Sequence, residues 1–308
     1  MSILLVAQRR DMQPFRNAIL NVDPNTDIDI WPDSENRARV QFAVAWNHPH
    51  DVWKSYPNLK VISSLGAGVD HLLKDNSIPD NIRLARVVVP SLSDQMSDYV
   101  LTAVLNILRH SEYYRNQQNE SLWKVKPAYQ KEELSVGIMG LGELGSATAE
   151  RLRINGFKVN GWARTEKNLA GINTYTAGSL GEFLNRSNIL VNLLPLTLQT
   201  DGILDLDLFK ELKRPSFLIN VARGEHLVEE DLLYALDRDL IQHAVLDVFS
   251  TEPLPESHSF WGRKKITITP HIASVTDPDE VAVLLLENYK RTLSGLDLLN
   301  EVDRERGY

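Results

Sequence analysis

The sequence has no cysteine. Disulfides, thiolate nucleophiles and thiolate metal sites are therefore excluded, and no metal site is expected. It also has no apolar run near the roughly 18 residues that a membrane span needs. The opening Ile3-Leu4-Leu5-Val6-Ala7 is too short for a signal segment, runs into Arg9-Arg10-Asp11, and reads as a first strand. Positive charge is not in excess: 33 Lys and Arg stand against 41 Asp and Glu, a formal charge of −8. A broad nucleic-acid footprint needs clustered basic residues, so the balance argues against one. There is no low-complexity tract, and no internal repeat beyond a βα rhythm. A soluble, cytoplasmic protein without membrane or nucleic-acid partner is the expectation. Hydrophobic content of 43% and charged content of 24% suit a globular chain, and 308 residues suffice for two domains.

What is present is organised around Leu134 to Gly145, LSVGIMGLGELG. Leu134 to Met139 is a short apolar run of the kind buried on both faces of a parallel sheet. Gly140, Leu141, Gly142, Glu143, Leu144 and Gly145 then spell G-x-G-x-x-G, and SATAERLRIN continues with good helix formers. Strand, glycine turn and helix without a gap is the context of a dinucleotide site. The first glycine allows the tight turn, the second lets backbone approach a pyrophosphate, and the third lets helix and strand pack closely. The amides at the helix start face the phosphates with the positive end of the helix dipole.

Before this stretch, ILLVA (3–7), VQFAVAW (40–46), LKVISSL (59–65) and RLARVVV (83–89) read as strands, with helices over 11–20 and 51–56. Strands alternating with helices predict a parallel α/β layer. Gly66-Ala67-Gly68 forms a second glycine turn at a strand end. On its own it is equally a structural turn or a ligand loop. Residues 94–109 have helical apolar spacing, and 111–131 is a polar excursion, either a dimer arm or a surface loop. After the glycine turn, strands are predicted at 157–163, 187–194, 215–222, 243–249 and 266–270. Helices are predicted at 206–213, 229–236 and 278–295. A domain boundary falls near residues 90–100, and the last helix can fold back onto the first domain.

The second strand of the dinucleotide domain ends Gly161-Trp162-Ala163-Arg164-Thr165-Glu166-Lys167. NAD sites usually carry an acid there for the ribose 2′-hydroxyl, whereas Arg suits a 2′-phosphate. Ala163 in place of the acid, followed by Arg164 and Thr165, predicts NADP as the preferred cofactor with NAD possible. The alternative is a solvated basic loop. Three ionisable residues lie at strand ends: Arg223 after LINVA, Glu252 past LDVFS, and His271 after ITITP. Carbonyl reduction needs a hydride donor, a proton donor and a positive group to hold the substrate. His can supply the proton with a carboxylate orienting it, and Arg can grip a 2-oxo acid with two parallel hydrogen bonds. His48, His50, His71, His110, His226, His243 and His258 are read as solvated residues without a role.

VNLLPLTLQTDGILD, INVARGEHLVEEDLLYAL, AVLDVFSTEPLP and TPHIAS, with GLGELG and SSLGAGVDHL before them, resemble the D-isomer-specific 2-hydroxyacid dehydrogenase family over nearly the whole chain. The resemblance implies a two-domain α/β fold, a Rossmann dinucleotide-binding domain (95–275) inserted into a flavodoxin-like substrate domain (1–94 plus 276–308). It places the family's catalytic residues on Arg223, Glu252 and His271. His271 would move the proton with Glu252 as partner, and Arg223 would bind the substrate. The backbone of Ala67 and Gly68 would hold the substrate carboxylate. Asp247 matches the position that contacts the nicotinamide carboxamide, and Leu194, Pro195 and Val221 match positions lining the cofactor cleft. A homodimer joined through the cofactor domains is implied, with 111–131 as a candidate arm. GWARTEK, VAWNHP and the lack of a regulatory tail are most similar to the short bacterial glyoxylate/hydroxypyruvate reductases. Trp46 then lines the substrate pocket, or else belongs to the core. Ser97-Asp98 departs from the more usual Ala-Glu. The implied function is reduction of a small 2-oxo acid by NADPH. The alternative is a dinucleotide-sensing binding protein of the same fold. A Rossmann methyltransferase leaves Arg223, Glu252 and His271 unexplained.

Overall fold

The structure is a computed structural model that describes residues 1–307. The chain divides into two units. A terminal unit is built from Met1–Leu92 together with the chain from Val275 onward, and a central unit from Ser93–Ser274.

The terminal unit begins with β1 (Ser2–Ala7), α1 (Gln13–Val22), β2 (Asp27–Ile30), β3 (Val40–Trp46), β4 (Val61–Ser64), α2 (Asp70–Leu73) and β5 (Arg83–Ala85). Its five strands are all parallel and lie in the order β2-β1-β3-β4-β5. α3 (Pro90–Leu108) carries the chain onward to α4 (Ser111–Asn119), β6 (Ser135–Met139), α5 (Glu143–Ile154), β7 (Lys158–Trp162), β8 (Asn173–Tyr175) and α6 (Leu180–Asn185). β9 (Ile189–Asn192), α7 (Leu206–Glu211), β10 (Phe217–Asn220), α8 (Glu229–Asp237), β11 (His243–Leu246) and β12 (Ile266–Ile268) complete the central unit, and α9 (Pro278–Ser294) returns to the terminal one. The central sheet is parallel throughout, in the order β12-β11-β10-β9-β6-β7-β8.

Side-chain alternation builds the layers. In the central sheet Val136, Ile138, Ile189, Val191 and Ile219 face one core with Val100 and Val104 of α3 and Leu152 of α5. Leu190, Leu218 and Leu246 face the other with Phe209, Leu232 and Leu236. Both faces are covered by helices, which is why these strands are uninterrupted apolar runs. In the terminal unit α9 packs on α1 and β3, and the Tyr289 ring meets Phe42 edge-on at 6.1 Å. Asp277 caps α9 by accepting the Asp279 and Glu280 amides, and Gly295, at φ +68°, ends it.

Two features of these sheets matter for ligands. In the central unit the strand order reverses between β6 and β9, giving the doubly wound order with its crevice at the carboxyl ends of those two strands. In the terminal unit it reverses between β1 and β3, the flavodoxin-like arrangement. The predicted polar excursion contains a helix, α4. Gln117 on it holds the following strand-like segment from both sides, donating to the Lys124 carbonyl and accepting the Lys124 amide. Among the described residues no helix is long and apolar enough to cross a membrane.

Candidate active site

The turn after β6 explains two of its three glycines from within the protein. Gly140 sits at φ +100°, and a Cβ on it would lie 2.6 Å from the Leu193 carbonyl oxygen. A Cβ on Gly145 would lie 1.8 Å from the Gly140 oxygen, so only glycine lets α5 start this close to β6. Gly142 is different. It is exposed, has an ordinary φ of −78°, and a Cβ there would meet nothing within 4 Å. The protein's own packing does not call for glycine at this position, whereas backbone approach by a pyrophosphate does. Glu143 is exposed and Leu144 packs against the core, which leaves their amides in the first turn of α5.

At the ends of the neighbouring strands two buried asparagines stand side by side, Asn192 on β9 and Asn220 on β10. Asn192 donates to the Asn220 side chain at 3.1 Å and accepts the Leu194 amide. Asn220 donates to the Arg223 carbonyl at 2.9 Å and accepts the Ala222 amide. The pair therefore shapes both loops that leave this edge, one through Leu194 and Pro195 and the other through Val221 and Arg223. Gly224 then packs flat on the next loop, where a Cβ would sit 1.9 Å from the Phe249 carbonyl carbon. This close approach sets Arg223 beside the loop that carries Glu252.

The third loop is organised by Asp247. Its carboxylate is fully buried and accepts the Thr269 hydroxyl at 2.5 Å, the Ile272 amide at 2.9 Å and the Ala273 amide at 2.8 Å. The Tyr99 hydroxyl lies 2.5 Å from Thr269 Oγ1. Burial pushes the Tyr99 phenol up to about 12, against the Thr269 hydrogen bond and with help from the Asp247 charge. Asp247 itself is raised by burial, which the Thr269 hydroxyl, the two amides and the His271 charge oppose without cancelling. Held in this way, His271 takes the left-handed backbone region at φ +56°, which is uncommon outside glycine. Its amide donates to the Asp247 carbonyl at 2.8 Å.

His271 Nδ1 meets Glu252 Oε2 at 2.8 Å, and the other carboxylate oxygen accepts the Phe249 amide at 3.0 Å. Burial alone would raise the Glu252 carboxyl. The His271 hydrogen bond and charge, the Phe249 amide and the Arg223 charge outweigh it and hold the group below the usual range. The structure thus brings Arg223, Glu252 and His271 together at the carboxyl edge of the central sheet. An imidazole whose Nδ1 is engaged by an ionised carboxylate keeps Nε2 for taking or giving a proton. An adjacent guanidinium suits a carboxylate or a polarised carbonyl.

Of the other predicted positions, Leu194 and Val221 are buried, and Pro195 is half-buried with its carbonyl near His226 Nε2 at 3.3 Å. Asp247 is used first by the protein itself, as the anchor of the His271 loop. Arg164 and Thr165 are exposed just past β7, after a buried Ala163. In the terminal unit, Ala67 and Gly68 sit in a turn that the Ser64 hydroxyl braces by donating to the Gly68 carbonyl and accepting the Gly66 amide. Trp46 is not core: it is half-exposed, and a Cβ on Gly66 would lie 3.0 Å from its ring. Several histidines expected to be solvated are not. His48, His110 and His226 are buried, and His226 is completely so, because it packs beneath the Pro195 loop. Sequence reading missed Asn192, Asn220, Thr269 and Tyr99. The one available signal was an asparagine closing two successive apolar strands, ILVN and FLIN. Among the described residues no three His, Asp or Glu side chains are arranged to hold a metal ion.

Residues 101–273 match the model of the D-isomer specific 2-hydroxyacid dehydrogenase NAD binding domain. A glyoxylate/hydroxypyruvate reductase A of Photorhabdus laumondii is 40% identical over 291 residues, covering 92% of this chain and 93% of that protein. A D-isomer specific 2-hydroxyacid dehydrogenase of Xanthobacter autotrophicus Py2, solved with NADPH and MES, superposes with a TM-score of 0.94 at 35% identity, over 100% of this chain and 99% of that one. An NADPH-dependent glyoxylate/hydroxypyruvate reductase of Sinorhizobium meliloti, solved with NADP and sulfate, superposes with a TM-score of 0.93 at 35% identity over all of both chains. With this fold and this edge of the central sheet, the chain belongs to the D-isomer-specific 2-hydroxyacid dehydrogenases.

Proposed function

We propose that the protein reduces small 2-oxo acids, glyoxylate and hydroxypyruvate, to the 2-hydroxy acids with NADPH. The observation that carries the reading is the 2.8 Å His271–Glu252 pair beside Arg223, on the edge of a sheet whose order reverses next to the glycine turn. The names of the relatives support the substrate class, and the NADP-bound neighbours support the cofactor.

The residues present fit a dinucleotide. Gly142 leaves room for a pyrophosphate against the amides of Gly142, Glu143 and Leu144, with Gly140 and Gly145 shaping the turn. Arg164 and Thr165 take the 2′-phosphate, and Leu194, Pro195 and Val221 line the nicotinamide half. When bound, NADPH supplies the hydride for the carbonyl carbon. Arg223 holds and polarises the 2-oxo acid, and His271 gives its proton to the carbonyl oxygen as negative charge develops there. Glu252 orients the ring and stabilises its charged form. Asp247 acts through the backbone of His271. In the terminal unit the amides of Ala67 and Gly68 are assigned to the substrate carboxylate, with Trp46 as a pocket wall. We place the protein in a homodimer through the segment after α4, where Trp123 is 96% and Val125 84% exposed.

The test is loss of reduced-nicotinamide absorbance with glyoxylate, hydroxypyruvate, pyruvate and phenylpyruvate, run with NADPH and NADH in parallel. Rapid oxidation of NADPH by glyoxylate and hydroxypyruvate is expected. Binding of both cofactors without turnover of any acid would overturn the reading and leave a dinucleotide sensor.

A further inference from the structure

His226 is a completely buried titratable side chain that the proposed reduction does not use. It follows Arg223 by three residues, on the loop that leaves β10. The loop that leaves β9 through Leu194 and Pro195 runs beside it, and the two loops are joined at both ends. At the strand ends the join is the Asn192–Asn220 hydrogen bond of 3.1 Å. Further out it is backbone. The Gly202 amide donates to the Glu225 carbonyl at 2.9 Å, the Leu204 amide to the His226 carbonyl at 2.8 Å, and the Val228 amide to the Leu204 carbonyl at 3.1 Å. Between these fixed ends the His226 ring makes the middle join, with Nε2 at 3.3 Å from the Pro195 carbonyl oxygen.

Stability alone does not call for a histidine here. The Pro195 carbonyl already accepts the Thr200 hydroxyl at 2.7 Å, so removing the ring would not leave it unsatisfied. Burial holds His226 below the usual histidine range, with the Arg223 charge adding. The Pro195 and Arg223 backbones and the Glu225 charge pull the other way without cancelling. The ring is therefore neutral, and because a carbonyl can only accept, its one proton sits on Nε2. Nδ1 is left a bare acceptor, buried and, among the described residues, without a hydrogen-bond partner. An unsatisfied buried acceptor is a cost that an apolar side chain of similar size does not carry. Such costs are kept where function needs them, and this one is kept on the loop of the substrate-binding guanidinium.

We propose that His226 is a positioning residue for the reduction: its ring fixes the Pro195 segment, a wall of the nicotinamide half, at a set spacing from Arg223. The inference rests on the reductase reading. A misplacement of about 1 Å at a reacting centre costs on the order of 10²-fold in rate. The Asn220 bond that holds the Arg223 carbonyl does not involve His226, and neither does the turn at Gly142 nor Arg164. Loss of the ring is therefore felt in turnover rather than in binding.

The test compares the full-length wild type with His226→Leu and His226→Gln by urea unfolding, NADPH titration and steady-state reduction of glyoxylate. His226→Leu is expected to unfold at the same urea concentration as the wild type or a higher one, and to bind NADPH equally well. Its kcat is expected to fall roughly ten- to hundred-fold, with the KM for glyoxylate unchanged. Glutamine carries an amide N–H where the ring carries Nε2–H, so His226→Gln is expected to recover most of the lost kcat. Stability and kcat falling together in His226→Leu, failure to fold included, overturn the inference by making the residue structural. An unchanged kcat, a loss confined to KM, or a glutamine variant as slow as the leucine one overturns it as well. In each of those cases a wild type that turns over leaves the reductase reading standing; a wild type that reduces no acid removes both.

Discussion

Replacing Gly142 and Gly145 by alanine, one at a time, separates what the glycine turn does for the fold from what it does for a ligand. In Gly145→Ala the new Cβ would stand 1.8 Å from the Gly140 oxygen, 1.2 Å inside the 3.0 Å limit below which Cβ contacts are not found. The obstacle is backbone, so no rotamer change relieves it. α5 must slide off β6 and loosen Ala149 and Leu152 in the core. Overpacking of this kind costs about 1–3 kcal/mol, and the upper end applies here. In Gly142→Ala no atom lies within 4 Å of the new methyl group. Two small effects oppose each other. Alanine restricts the unfolded chain and stabilises by about 0.4–1 kcal/mol, but it caps α5 less well than glycine by a similar amount. The measurements are urea unfolding followed by circular dichroism and NADPH titration followed by fluorescence. For Gly142→Ala we expect an unchanged midpoint and NADPH binding at least ten-fold weaker, about 1.4 kcal/mol. For Gly145→Ala we expect a clear fall in midpoint. If Gly142→Ala binds NADPH like the wild type, or unfolds as readily as Gly145→Ala, the cradle reasoning is wrong.

Four further outcomes are expected. His271→Ala should lower turnover by about 10²–10⁴-fold while leaving NADPH binding nearly intact; unchanged turnover would refute the proton-donor role. Arg164→Ala should weaken NADPH roughly ten- to hundred-fold, the scale of a charged hydrogen bond, and NADH far less; equal losses in parallel titrations would sink the 2′-phosphate assignment. His243 is pushed down to about 4, chiefly by burial with the Arg115 charge adding. Because its folded value lies below the ordinary 6.5, the unfolded chain takes the proton first. The stability it confers is complete above about pH 6.5 and fades as pH falls toward 4, about 3 kcal/mol over the full span. Unfolding of His243→Gln should be correspondingly flatter across that window, and identical slopes for the two proteins would disprove the linkage. Trp123→Ser should shift the oligomeric state toward monomer in light scattering; a dimer unaffected by it places the interface elsewhere.

How much of this was legible in the sequence depended on how local each signal was. β6 and its glycine turn are one continuous stretch, so run, turn and helix could be read directly. β9 and β10 were legible because burial on both faces demands unbroken apolar residues. β2, Asp27-Ile28-Asp29-Ile30, and β8, Asn173-Thr174-Tyr175, were not, because both are edge strands of only four and three residues, too short to show a period. α4, SEYYRNQQN, buries only Gln117 and lacks the apolar stripe by which helices are recognised. At the site, Arg223 and His271 announce themselves by residue type and position. Asn192, Asn220 and Asp247 do their work through backbone groups of other loops, and that geometry exists only once the strands are side by side. The same holds for His48 and His226, whose burial is set by neighbours far away in sequence.

The split composition of the terminal unit governs the order in which the protein can be completed. β5 receives its outer partner late: the Val302 amide donates to the Leu84 carbonyl, and Arg83 grips Glu301 with two hydrogen bonds of 2.7 and 2.5 Å. α9, which covers α1 and β3, is also made only after the whole central unit. At synthesis rates of about 5–20 residues per second, the first ninety residues wait many seconds with one face of their sheet only partly covered, by α1, while the central unit is contiguous and can close as it emerges. The half that begins the chain is therefore the half that finishes last, and it is on Phe42 and its neighbours on that face that a nascent chain most needs shelter.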